Sequence, residues 1–285
     1  MALPRFFRPD KRLGQHFIRD ADLVGKIIEG SGLEESDSVL EIGPGMGDLT
    51  IPLSGCVEQV VAVEKDSRLL PMLEERLAST GANNVKLINA DILRIDFLDL
   101  PLPWDRKVPV VGNLPFNISS PLLEKLVHYR KWIKKAILMF QIELARRLTA
   151  APGTREYGAI TVILRYYAHI SPLLEIPREA FYPRPKVGAL VLELDFDRPY
   201  PKELLDETSF SRVVHAAFAH RRKMLLNSLR RSFRDLDPET ILLALEKCGI
   251  DPKRRAESLD MEEFLCLGDA FASLSLTNDG SDAIG

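Results

Sequence analysis

The chain has 285 residues, 46% of them hydrophobic and 28% charged, enough to bury one large core and leave residues for a small accessory domain. A formal net charge of -3 argues against a uniformly basic nucleic-acid-coating protein, because phosphate binding draws on Lys and Arg. The average conceals two blocks: seven basic and no acidic residues over 210–234, and seven acidic and no basic ones over 256–285.

In chain order, the N-terminus carries no apolar run of signal-peptide length, and no segment approaches the roughly 20 apolar residues of a membrane span. A soluble cytoplasmic protein is expected. Short β-rich runs then alternate with amphipathic stretches, the pattern of a mostly parallel sheet covered by helices. Seven strands are predicted at 38–43, 59–66, 85–91, 108–113, 135–141, 160–168 and 189–196, with helices at 20–30, 47–54, 67–80, 119–129 and 142–150. Between the last two strands Pro172, Pro177, Pro183 and Pro185 replace a helical pattern, so that pair should be antiparallel.

Beyond the linker at 197–201 everything reads as helical, including a helix opened by Asp237 and Pro238 and stopped at Gly249. The expected organisation is a Rossmann-like α/β domain with an N-terminal arm over 1–197, a small all-α domain over 203–275 and a disordered tail over 276–285. Cys56, Cys248 and Cys266 are odd in number and widely spaced. They predict reduced thiols rather than a disulfide framework or a zinc site, and no metal is expected.

Chemistry concentrates at successive strand ends. Val39-Leu40-Glu41-Ile42-Gly43-Pro44-Gly45-Met46-Gly47 is a strand running into a glycine-rich turn and a helix, a turn that lets the backbone approach a ligand. The next strand ends at Glu64, 21 residues after Gly43, where a carboxylate can accept from two ribose hydroxyls. The third ends at Asp91, an acceptor for an adenine amino group of a bound cofactor.

The fourth strand ends Asn113-Leu114-Pro115-Phe116, a trio of amide, proline and aromatic ring for which a dehydrogenase has no evident use. An aminomethylase of adenine does have one. The amino nitrogen of adenine is a poor nucleophile because its lone pair is delocalised into the ring. The Asn113 side-chain carbonyl and the Leu114 backbone carbonyl are read as acceptors for its two protons, Pro115 as the group that fixes the turn and Phe116 as a stacking surface. S-adenosylmethionine is the expected methyl donor.

With Leu13-Gly14-Gln15-His16-Phe17-Ile18, Phe181-Tyr182-Pro183-Arg184-Pro185-Lys186-Val187 and Gly249-Ile250-Asp251-Pro252 added, the sequence resembles the small-subunit ribosomal RNA adenine dimethyltransferase family of the KsgA type over about 11–271. The resemblance implies N6,N6-dimethylation of two adjacent adenosines in the 3′-terminal hairpin loop of 16S ribosomal RNA, within an assembly intermediate of the small subunit. It further implies cofactor contacts from His16, Ile18, Gly43, Glu64, Asp91 and Asn113, and a flipped adenine held between Phe116 and Phe181. His16 stands where the family usually has asparagine, Phe116 where tyrosine is usual, and Gly188-Ala189 where Asp-Ser is common.

RNA contact is assigned to Arg221, Arg222, Lys223, Arg230 and Arg234. Lys223, Asn227, Arg230 and Arg234 recur at helical spacing while Leu225, Leu226, Leu229 and Phe233 turn inward, and Arg5, Arg8, Lys11 and Arg12 add charge from the arm. A monomer suffices for this chemistry. The competing readings are an antibiotic-resistance methylase of 23S RNA, a chiefly non-catalytic assembly or nucleic-acid-binding factor, and an NAD-dependent oxidoreductase.

Overall fold

The computed structural model describes residues 9, 14–115 and 118–279. Phe116 and the arm cations Arg5, Arg8, Lys11 and Arg12 lie outside the described residues. Two compact units emerge, one of Met1–Ala145 with Tyr167–Pro199, the other of Arg146–Tyr166 with Tyr200–Gly285.

In the first unit the helix α1 (Ala21–Ser31) starts at Asp20, whose Oδ1 accepts from the Asp22 and Leu23 N–H groups at 3.1 Å each, and stops where Gly32 turns left-handed at φ 55°. Its Val24 and Ile27 are buried one turn apart, each contributing about 1.5–3 kcal/mol of apolar burial. They pack with Leu53 of α2 (Thr50–Ser54) against Val39, Val60, Val111 and Ile137. These four belong to the strands β2 (Ser38–Ile42), β3 (Gln59–Glu64), β5 (Val108–Asn113) and β6 (Ile133–Gln141).

Every residue of β2 is buried, as expected of a parallel strand covered on both faces. With β4 (Val85–Asn89), β7 (His169–Ile176) and β9 (Ala189–Asp195), the sheet has seven strands in the order β4-β3-β2-β5-β6-β9-β7. The first five run parallel; β9 pairs antiparallel with β6 and with β7. The chain moves outward from β2 to β4 by way of α3 (Leu70–Thr80), then returns to β5 on the other side of β2 and continues through α4 (Ser119–His128). A crevice opens outside the carboxyl ends of β2 and β5, where that reversal occurs. A separate two-stranded ribbon pairs β1 (Phe17–Ile18) antiparallel with β8 (Phe181–Tyr182).

The helix predicted at 142–150 is α5 (Ile142–Leu148), but the strand predicted at 160–168 is instead the helix α6 (Ala159–Tyr167), and the edge strand is β7, immediately after it. Ile160, Val162 and Ile163 carry the β-branched signal, but Thr161, Val162 and Leu164 are all buried, and the Thr161 hydroxyl donates to the Arg147 carbonyl at 2.6 Å. Packing overrides propensity here. Pro172 does not prevent β7 from forming, because that strand lies at the sheet edge and its register shifts between Pro172 and Leu174.

The second unit holds α7 (Glu207–Phe218), α8 (Leu225–Ser232), α9 (Pro238–Lys247) and α10 (Met261–Asp279). Its core includes Phe210, Val213, Leu229, Ile241, Leu245 and Phe264, all fully buried. The stretch Arg146–Tyr166, expected within the first domain, belongs to this unit. The Tyr157 ring meets Phe218 edge-on, Tyr166 packs on Phe210, and the Gly153 N–H donates to the Glu257 carbonyl at 2.6 Å.

Two further expectations are corrected. Cys248, at the end of α9, and Cys266, in α10, form a disulfide with Cα atoms 5.7 Å apart, and only Cys56 is free. Helix packing joins two positions 18 residues apart, a pairing that spacing cannot disclose. α10 continues through Asp279, past the expected domain boundary at 275.

Candidate functional site

The crevice is lined by Gly14–Ile18 from the N-terminal segment and by the strand-end residues of β2, β3, β4 and β5. Its floor is the turn after β2, where Gly43, Gly45 and Gly47 have φ of 69°, 58° and 83°, values that favour glycine. At Gly45 a Cβ would lie 2.9 Å from the Phe17 ring, so an alanine would strain the backbone and collide with the cleft wall. Arg76 of α3 anchors the far end of the turn, donating to the Met46 carbonyl and to Asp48 Oδ1.

Glu64 ends β3 and lies almost buried beneath this turn. Its Oε2 accepts the Gly45 N–H at 3.1 Å and its Oε1 the Asp66 N–H at 2.8 Å. A carboxylate has about four acceptor sites, so both oxygens keep capacity for a ligand hydroxyl. Burial pushes its pKa up against the pull of the two N–H groups. Asp91, just past β4, accepts the Leu93 N–H at 3.0 Å and meets the Lys65 ammonium at 2.9 Å. Burial raises its pKa, but Lys65 and the Leu93 N–H outweigh it and hold the carboxyl below its usual range.

Glu41, which the sequence reading passes over within a hydrophobic run, also lines the cleft. It is 1% exposed, and its Oε2 has no hydrogen-bond partner among the described residues. Burial drives its pKa from an ordinary 4.5 up to about 8, with the nearby Thr50 hydroxyl pulling it down without closing a hydrogen bond, and Glu64 and Asp48 adding repulsion. At neutral pH Glu41 is therefore mostly a neutral acid, able to donate as well as accept.

The fourth strand end is held by the N-terminal segment. Asn113 Nδ2 donates to the His16 carbonyl at 2.9 Å; a carbonyl can only accept, so the amide nitrogen faces it and Oδ1 remains the acceptor for a ligand. The strand approaches β2 so closely at Gly112 that a Cβ there would sit 2.8 Å from the Ile42 carbonyl oxygen. Beyond it, Leu114 and Pro115 line the cleft, and the Pro115 carbonyl is taken by the Ile118 N–H at 3.1 Å. Among the described residues no hydrogen bond is made to the Leu114 carbonyl.

Three further contacts seat the N-terminal segment. Gln15 donates to Asp66 Oδ2 at 2.8 Å, His16 Nδ1 lies 2.6 Å from the Pro183 carbonyl oxygen, and the Arg19 N–H donates to the Ala180 carbonyl at 2.8 Å. The His16 ring is thus engaged with the chain at one nitrogen, and the residue holds Asn113 through its backbone.

The crevice brings together His16, Ile18, Gly43, Gly45, Glu64, Asp91, Asn113, Leu114 and Pro115. Phe181 is not among them. It is 4% exposed and belongs to the core cluster with Ile18, Val24 and Val111. Residues missed by sequence reasoning include Glu41, Lys65 and Phe17; the glycine-rich turn could have drawn attention to the first.

In the second unit, Arg221, Arg222 and Lys223 are exposed on the connection between α7 and α8, and Arg230 is exposed on α8. Lys223 and Arg234 lie outside that helix, whose limits are Leu225 and Ser232, and Leu226 is only half-buried. Arg221 donates to the Tyr157 carbonyl at 3.2 Å and approaches Glu257 at 3.5 Å, so it also holds its own unit together.

A family model described as ribosomal RNA adenine dimethylase matches residues 7–273. A ribosomal RNA small subunit methyltransferase A of Shouchella clausii is 41% identical over 271 residues, covering 94% of this chain and 91% of the relative. A protein of the same name from Desulforapulum autotrophicum is 43% identical over 264 residues, covering 93% and 92%. Among solved structures, a dimethyladenosine transferase from Plasmodium falciparum superposes with a TM-score of 0.75 at 26% identity over 93% of this chain and 98% of that one. The 23S rRNA methyltransferase ErmE gives 0.68 at 26% identity over 90% and 99%.

Proposed function

The chain belongs to the ribosomal RNA adenine dimethylase family, and from that premise we propose that it dimethylates the N6 amino groups of two adjacent adenosines in the 3′-terminal hairpin loop of 16S ribosomal RNA. The substrate is a small-subunit assembly intermediate in the cytoplasm, the methyl donor is S-adenosylmethionine and the enzyme acts as a monomer. An identity of 41–43% to small-subunit methyltransferases, against 26% to the 23S enzyme, supports the small-subunit assignment. No helix among the described residues is long and apolar enough to cross a membrane.

The residues lining the crevice fit such a donor. Glu64 keeps acceptor capacity for ribose hydroxyls, Asp91 suits an adenine amino group, and the Gly43–Gly47 turn offers close backbone approach. The unpartnered Glu41 oxygen is a buried polar atom awaiting a ligand or a water. When bound, S-adenosylmethionine supplies an electrophilic methyl group.

The observation that carries the reading is the Asn113 amide, locked by the His16 carbonyl at 2.9 Å with its own oxygen left over. An adenine amino group directed at Asn113 Oδ1 and the Leu114 carbonyl has its two protons held in fixed hydrogen bonds. Its lone pair is then drawn out of conjugation and aimed away from both acceptors. Fixed dipoles need no reorganisation as charge develops on the nitrogen. The base reaches the corner unstacked from its loop, and Phe116, next in sequence after Pro115, supplies a stacking surface.

Incubation with labelled S-adenosylmethionine and either undermethylated small subunits or large subunits tests the assignment. Label in the small-subunit RNA alone is expected; label in the large-subunit RNA alone overturns it in favour of the 23S reading.

A further inference from the structure

The β1–β8 ribbon has two unlike faces. Ile18 and Phe181 oppose one another and enter the core, whereas Phe17 and Tyr182 oppose one another on the other side, since directly paired residues share a face. Phe17 is buried over Gly45, Met46 and Leu69 at the crevice wall. Tyr182 is 40% exposed, one of few large hydrophobic side chains left so open among the described residues. The Arg19 guanidinium stacks on its ring, 3.9 Å from the centroid.

A single exposed aromatic is ordinary surface; what marks Tyr182 is the guanidinium stacked on its ring. The ribbon and its flanks carry four cations, Arg19, Arg178, Arg184 and Lys186, against two carboxylates, Asp20 and Glu179. Glu179 is already engaged by Arg178 and Arg184, and Asp20 caps α1. Arg19 and Lys186 have no ion-pair partner among the described residues. An aromatic ring stacked with a guanidinium that has no carboxylate partner among the described residues is the chemistry that takes a nucleobase with its phosphate.

We propose that Tyr182 and Arg19 form a stacking subsite for an unpaired RNA nucleotide that adjoins the target adenosine. The subsite continues the crevice wall through the Phe17–Tyr182 pair, so a strand whose target base enters the corner at Asn113 lays a neighbouring base on Tyr182 and its phosphate against Arg19. It rests on the proposed RNA adenine methylation and adds to it a specificity contact outside the corner. The subsite favours single-stranded RNA, because a paired nucleotide has no free face to stack.

The test compares the full-length wild type with Tyr182→Leu, which keeps apolar bulk but lacks a π face, and Tyr182→Trp, which restores one. Undermethylated small subunits are the probe, with S-adenosylmethionine affinity and circular dichroism reporting folding. Tyr182→Leu should raise the KM for particles about tenfold, within the range of one base–aromatic stack, with the effect on KM rather than kcat. Tyr182→Trp should return to within about threefold of wild type, a margin of well under one stack. A KM unchanged in Tyr182→Leu, or one equally poor in Tyr182→Trp, overturns the subsite while leaving the methylation reading in place. A wild-type chain that labels no ribosomal RNA overturns both.

Discussion

Replacing Glu41 by Gln tests whether the acid under the glycine turn is protonated. In the folded chain Glu41 holds its proton up to about pH 8, while its ordinary value is 4.5. Below pH 4.5 the folded and unfolded states bind the same proton; between 4.5 and about 8 the unfolded chain has released it and the folded chain has not. The stability contributed by this proton is therefore fully present below 4.5 and lost as pH rises through 8. The slope is about 1.4 kcal/mol per pH unit. From pH 5 to pH 8 the wild type should lose on the order of 4 kcal/mol relative to Glu41→Gln, a figure that relaxation of the turn makes an upper value.

Trp104 and Trp132, the two tryptophans of the chain, both lie in the first unit. Urea unfolding followed by tryptophan fluorescence at pH 5, 6.5 and 8 therefore reads that unit without assuming that both units melt together. The curve for Glu41→Gln should cross above that of the wild type as pH rises. Parallel pH dependences for the two proteins would refute a protonated Glu41 and require a carboxylate compensated some other way.

The Gly45→Ala variant should lose cofactor affinity at least tenfold, on the order of 1.4 kcal/mol, because φ of 58° and a contact of 2.9 Å to Phe17 both resist a methyl group; isothermal titration with S-adenosylmethionine measures it. Glu64→Ala should weaken the same titration by about 1.5–3 kcal/mol, the worth of hydrogen bonds to a charged group, while leaving particle binding unaltered. Replacing Arg222 and Lys223 by Ala should reduce the slope of log affinity against log salt for ribosomal particles by about 2, if both meet phosphates. An unchanged slope would remove them from the interface. Arg221 is excluded from that pair because its bonds to Tyr157 and Glu257 would mix binding with stability.

The parts of the site that could be read in the sequence share a physical reason. Glu64, Asp91 and Asn113 each terminate an apolar run beside the next turn, and the ends of parallel strands gather at one edge of the sheet. Local pattern carried that information. The orientation of Phe181 was not local: in a two-residue strand no alternation is visible, and Phe181 packs into the core cluster with Ile18 while Tyr182 stays outside. Glu41 is hidden by its neighbours, a single acid flanked by Leu40 and Ile42 within a buried strand.

The second unit was legible as helical but not in extent. Its share of the earlier chain, Arg146–Tyr166, contains Ile160, Val162 and Ile163, whose β-branching points to a strand until Thr161 and Leu164 are buried by tertiary packing. The Cys248–Cys266 bond depends on which helices lie side by side, and sequence spacing holds no record of that.

Nuclease digestion and mass spectrometry of small-subunit RNA, after reaction with the wild type or with Asn113→Ala, bears most directly on the catalytic corner. The wild type should yield two adjacent N6,N6-dimethyladenosines. Asn113→Ala should bind S-adenosylmethionine within a few-fold of wild type yet transfer methyl groups about 10²–10³ times more slowly, as expected when one preorganised acceptor is lost. Dimethyladenosine formed at the wild-type rate by Asn113→Ala, or methylation at any atom other than N6, would contradict the account.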